Sequence, residues 1–245
     1  MDITQVTNII NKGIQDRVDT FILSDYFLFM NHQRYPLTFI QPLIKTFLPE
    51  YYSSLSQVFL SLSEIKISPK QYNNMSLSAK QAICALYIGR VSNTSHHEIY
   101  LSILAIVGRF CEIHKDTQND GATMELQAMD NFFSKYAPKN LSQEDKRLIW
   151  DLAVSINPSH RKEPSNNPLI NNMSDAVVMP TYGISWELFH NDMIRIERET
   201  MVLVDAERSL LYLKNYFQHG WLGVLSETPF KNFPNRLMEQ LSNDK

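Results

Sequence analysis

Cysteine, glycine and net charge are all in short supply in this chain, and each shortage removes a class of function. Cys84 and Cys111 are the only two cysteines in 245 residues, too few and too far apart for a disulfide framework or a four-thiolate zinc site. The seven glycines are spread singly, which sets aside the common nucleotide-cradling loops. Gly-x-Ser-x-Gly, Cys-x-x-Cys and His-Glu-x-x-His are absent as well. Charge is close to balanced, with 23 basic and 26 acidic residues for a net −3, so bulk electrostatics gives no reason to expect nucleic-acid binding. The most apolar windows, 21–30 and 99–110, are shorter than a membrane span and contain Asp25, Ser102 and Arg109. The start, Met1-Asp2-Ile3-Thr4, has no basic region leading into an apolar stretch, as a Sec signal would. The expectation is a soluble protein of a reducing, cytoplasmic compartment, with no nucleic-acid partner and no membrane span. The asparagine-rich, glycine-poor style, with lysine over arginine, fits a low-GC bacterial genome, and a non-Sec route into a host cell is compatible with it.

What the chain does have is apolar content, 44% of residues, arranged at a period near 3.6 rather than 2. That pattern predicts an all-α fold: a single compact domain over 1–245 with about nine to eleven helices and an N-terminal helical extension at 1–35. Ile3, Val6, Ile9, Ile10 and Ile14 share a helical face over 2–17. Pro42 and Pro49 divide the apolar stretch 38–65 into short helices, because proline removes a helix hydrogen bond. A helix over 76–91 turns Ile83, Leu86 and Tyr87 inward. Ser95 and Glu98 form a capping box, opening a helix to about His114 that buries Ile103, Val107 and Phe110. Helices follow at 122–136 and from Ser142 to Ile156. The stretch 157–175, with three prolines and five asparagines, reads as one long irregular loop. Helical faces return after Pro180, with Trp186, Phe189, Met193 and Ile196, then Leu210, Leu213 and Phe217, then 230–242.

Catalysis in such a fold would rest on imidazoles and carboxylates projecting between helices. None of the seven histidines precedes an aspartate. His96 and His97 stand about 100° apart in the first turn of a helix, poor geometry for chelating one ion. His160 lies beside Arg161 and Lys162 in the predicted loop. His190-Asn191-Asp192 faces away from the apolar stripe of its helix and reads as surface. Arg195, Glu197, Arg198 and Glu199 interleave in the manner of a solvent-exposed face. Asp175, at the end of the loop, reads equally as a helix cap or a functional acid.

The last third also carries a set of loosely spaced motifs: Asp175-Ala176-Val177-Val178-Met179, Ile194-Arg195-Ile196-Glu197, Thr228-Pro229-Phe230 and Asn235-x-Leu237-x-Glu239. Their order over some 65 residues resembles the C-terminal half of a bacterial family of predicted metal-dependent phosphohydrolases of the HD superfamily. Upstream, Tyr52-Ser53-Ser54-Leu55-Ser56-Gln57-Val58 fits the frame of that family's Tyr-His-x-Leu-x-His-Ile segment. Ala85-Leu86-Tyr87-Ile88-Gly89-Arg90-Val91 resembles its Ala-x-Trp-Phe-His-Asp-x-Val helix. On this register Ser53 and Gln57 stand where histidines belong, and Ile88 and Gly89 replace the His-Asp pair. Only Asp175 keeps a ligand position, with His96, His97 and His160 as nearby ligand contacts.

The resemblance therefore implies an HD-like helical fold without its divalent metals. Ile88 and Gly89 offer no lone pair, and Ser53 and Gln57 substitute poorly for imidazole. The favoured reading is a catalytically inactive HD-like domain without a cofactor, binding a protein partner or a phosphate-bearing small molecule. Two alternatives stand beside it. One is a metal-dependent phosphohydrolase rebuilt from His96, His97, His160 and Asp175. The other is an unrelated all-α interaction or effector protein.

Overall fold

In the computed structural model the described residues are 2–64, 75–111, 121–156, 163–200, 203–228 and 230–243. Among them there is no strand, and twelve α-helices are joined by short 3₁₀ segments, one helix more than the sequence pattern predicts. None is long and apolar enough to cross a membrane.

The helix expected over 2–17 ends five residues early, and a second one begins at Arg17. Helix α1 (Ile3–Lys12) stops at Gly13, whose φ of +77° favours glycine. Asp16 then caps α2 (Arg17–Met30) by accepting from the backbone N–H groups of Val18 and Asp19. α1 packs on α2 and on residues 75–91 at the centre of the fold, and Val6, Phe27 and Met30 are fully buried. A 3₁₀ segment (Pro36–Ile40), α3 (Gln41–Phe47), a second 3₁₀ turn (Pro49–Tyr51) and α4 (Tyr52–Ser63) follow. The two prolines begin elements here, where a missing N–H does no harm.

The centre is built from α5 (Met75–Val91), α6 (His96–Gly108) and α9 (Pro168–Tyr182). Every residue of α5 from Met75 to Gly89 is buried, so the helix has no solvent face and must be enclosed on all sides. α9 is its main neighbour, with α6 and Pro36–Ile40 covering other sides. α6 opens with the predicted capping box, in which Ser95 Oγ accepts from Glu98 N–H while Glu98 Oε2 accepts from Ser95 N–H. It ends at Gly108 rather than near His114, and Phe110 is buried in the turn that follows. α7 (Gly121–Lys135) and α8 (Gln143–Ser155) cover α6. α10 (Trp186–Thr200) lies on α9 and α2, and α11 (Ala206–Tyr216) pairs with α12 (Phe233–Asn243). One apolar cluster runs through the fold from Val6 to Leu241. Of the expected core residues, Ile103, Val107 and Leu152 are fully buried and Phe217 nearly so; Trp186 is only half-buried, at the rim.

The largest departure from the sequence pattern is at 157–175. Residues 157–162, including His160, lie outside the described residues, and from Pro168 onward the chain is helix rather than loop. Pro168 takes the first helical position, and Asn167 caps it by accepting from Leu169 N–H. The asparagines that suggested a loop make specific bonds instead. Asn171 holds Ser165 through both its oxygen and its amide, and Asn172 Oδ1 accepts from Val224 N–H at 2.9 Å. Pro180 stands inside α9, close enough to the end that one lost hydrogen bond does not stop the helix at that point.

Candidate functional site

The five positions of the HD-like register do not form a common pocket. Ser53 and Gln57 are exposed on α4, which packs mainly on Pro36–Ile40 and α3. Ile88 is fully buried on α5. Gly89 is a contact point between helices: a Cβ there would stand 2.6 Å from the Ile99 side chain of α6. A carboxylate could not replace it without displacing Ile99.

Asp175 is not a helix cap. It lies in the middle of α9, fully buried. Its Oδ1 accepts from Leu222 N–H at 3.0 Å and its Oδ2 from Gly223 N–H at 2.8 Å. One turn earlier, Asn172 takes Val224 N–H. Asp175 and Asn172 thus fasten three consecutive backbone amides of the 222–224 segment to α9. Buried backbone donors need acceptors, and a carboxylate with two oxygens can serve two of them.

His96 and His97 do come together with other polar groups, but not around a common point. His96 Nδ1 meets Glu50 Oε1 at 2.7 Å, and His97 Nε2 meets Asp145 Oδ1 at 2.8 Å. His97 Nδ1 also shares a hydrogen bond with the Tyr51 hydroxyl at 3.1 Å. Tyr51 stacks on Tyr100 with ring centroids 4.3 Å apart, and Tyr100 shares a hydrogen bond with Ser54. The two imidazoles diverge, one toward the turn before α4 and the other toward the head of α8. They clasp three elements. Among the described residues no group of three or more His, Cys, Asp or Glu side chains is placed to hold a metal ion.

Both carboxyls of this clasp titrate below their ordinary range. Glu50 is held down by its own backbone N–H and by His96. For Asp145, partial burial pushes upward, and the hydrogen bonds from Ser142 and His97 outweigh it. Groups with depressed pKa values add stability that is complete above the unfolded value, about 4, and lost as pH falls through the lower folded value. His97→Gln removes one of the groups that hold Asp145 down. The urea midpoint, followed from pH 6 to pH 2, should therefore fall less steeply in H97Q than in wild type. Equal slopes would show that the clasp has no role in acid stability.

One buried constellation has no counterpart in the sequence reading. Lys80 on α5 and Asp192 on α10 are both fully buried, with Nζ 3.3 and 3.2 Å from the two carboxylate oxygens. Thr181 of α9 donates to Asp192 Oδ2 at 2.8 Å. Arg195, 3.8 Å from Asp192, donates to Asn31 Oδ1. Asn31 also accepts from Ser76 and donates to Asn191. Burial pulls the Lys80 ammonium below its ordinary value against the pull of Asp192, and Arg195 adds to the depression. Burial also pushes up the thiol of Cys84, one turn from Lys80. Asp192 and Arg195 are thus not surface residues. The available signal was α5 itself: a lysine in a helix buried all round requires an acidic partner.

Two open clefts lie elsewhere on the surface. One, of about 300 Å³, is bounded by Val154, Glu163, Asn171, Ser174 and Leu222. The other, of about 510 Å³, runs along α11 between Leu203, Arg208, Leu211 and Lys214. Neither is lined by Ser53, Gln57, Ile88, Gly89, Asp175 or either clasp histidine. The described residues define an all-helical protein whose buried polar groups join its helices to one another. No family model, curated protein or solved structure matches the chain.

Proposed function

We propose that this chain is a non-catalytic helical interaction protein that engages another protein. In an HD-like ancestry its metal positions would have been converted to structural use. The observation that carries the reading is Asp175, the one acid kept from the HD-like pattern. Its two oxygens are turned onto the amides of Leu222 and Gly223 rather than toward His96, His97 or an opening. The Ile99 side chain packed at Gly89 supports it, as do the clasp pairings of His96 and His97. Large apolar side chains standing in solvent, notably Phe21, Leu60, Leu203 and Leu211, supply the material of a protein-binding surface.

The direct test is hydrolysis. The full chain is assayed on a panel of nucleotide and sugar phosphates with Mn²⁺, Ni²⁺ or Mg²⁺ supplied. The expected rate equals that of buffer with metal alone. Turnover that requires metal and disappears in His96→Ala/His97→Ala would overturn the reading in favour of a rebuilt site.

A further inference from the structure

We propose that the exposed face of α2 docks an amphipathic helix of a partner protein, one that presents a lysine or arginine in the middle of its apolar stripe. This rests on the interaction reading above and names its surface and the chemistry of its partner. α2 buries Leu23, Tyr26, Phe27 and Met30 against the core but is apolar on the other side too. Val18 and Phe21 are each 64% exposed and Phe29 37%, with Ile22 and Leu28 half-buried between them. At 100° per residue these five fall within about 60° of Asp25 on either side, so the carboxylate sits at the middle of an apolar stripe.

Asp25 distinguishes this stripe from chance apolar exposure. It is half-buried and, among the described residues, makes no hydrogen bond or ion pair. The other acid of the helix, Asp19, has Lys12 at 2.9 Å and the Gln15 amide at 3.0 Å. A carboxylate covered by an apolar partner without a cation would lose its water and gain nothing, so the occupant must bring the positive charge. The same charge argues against a second copy of this chain. Asp25 lies about 2 Å along the axis from the midpoint of Val18–Phe29, and a two-fold pairing through the stripe would bring two Asp25 carboxylates within about 5 Å along it.

The test is a selection of displayed amphipathic helical peptides, with the central residue of the apolar stripe randomised, against the full-length protein. The expected winners carry apolar residues at helical spacing and lysine or arginine at the centre. Their affinity should fall at least tenfold for Phe21→Glu, and Asp25→Lys should switch the preferred central residue to glutamate or aspartate. Phe21 is exposed, so F21E should keep the wild-type melting curve; if it does not, Val18→Asp serves in its place. Winners that bind F21E as well as wild type would place the docking surface elsewhere, overturning this assignment but leaving the interaction reading intact. A selection that yields no binder would overturn the assignment too. So would a wild-type dimer, seen by sedimentation, that F21E dissociates. Failure of the interaction reading itself would show separately, as metal-dependent hydrolysis.

Discussion

Asp192→Ala is expected to lower the free energy of unfolding by about 3–5 kcal/mol, because it leaves the Lys80 ammonium buried without its counter-charge. Lys80 and Asp192 have no exposed side-chain surface, so water cannot take over from the missing carboxylate. Thr181 loses its acceptor Oδ2 at the same time. The pair joins α5 to α10 and, through Thr181, to α9, so the loss should appear as one cooperative shift of the denaturation midpoint. Replacing both partners, as in Lys80→Met/Asp192→Leu, removes the uncompensated charge along with the attraction. The double variant should therefore be more stable than Asp192→Ala alone, as buried pairs exchanged for apolar side chains usually are. If Asp192→Ala lost less than 1 kcal/mol, the pair would not be buried in solution.

The second large effect is at Asp175. Asp175→Ala leaves the part-buried amides of Leu222 and Gly223 without their acceptors, a loss of about 1–3 kcal/mol. Asp175→Asn keeps one carbonyl oxygen and should fall between alanine and wild type. Hydrogen exchange gives the local signature: the Leu222 and Gly223 amides should lose protection in Asp175→Ala by more than amides of α6. A metal ligand would behave differently, since its removal changes stability only when the metal is present.

Much of the architecture was readable because it follows from local rules. The Ser95 and Ser142 caps sit in the sequence next to the groups they satisfy, and the 3.6-residue period of α8 and α11 needs no knowledge of the partner. What could not be read depends on contacts far apart in the chain. His97 is an exposed first-turn residue, and its pairing could not be read because its partner, Asp145, is 48 residues away. Lys80 and Asp192, 112 residues apart, follow the same rule, and Asp192 reads as surface because it lies off the apolar stripe of its own helix. The first half of α9, from Pro168 to Asp175, reads as loop because asparagine and proline usually mark turns. Here Pro168 and Asn167 start the helix, and Asn171 and Asn172 are spent on neighbouring backbone. Of the positions in the HD-like register, Ile88, Gly89 and Asp175 lie on the adjacent helices α5 and α9, while Ser53 and Gln57 are exposed on α4.

The central claim, that Asp175 holds backbone rather than metal, is tested most directly by the metal content of the untagged protein purified without chelator. Wild type and Asp175→Ala are compared by elemental analysis and by Mn²⁺ titration. The account predicts far less than one equivalent of Mn, Fe, Ni or Zn in both, equally weak Mn²⁺ binding, and a lower melting temperature in Asp175→Ala. Near-stoichiometric metal in wild type, lost in Asp175→Ala, would contradict it.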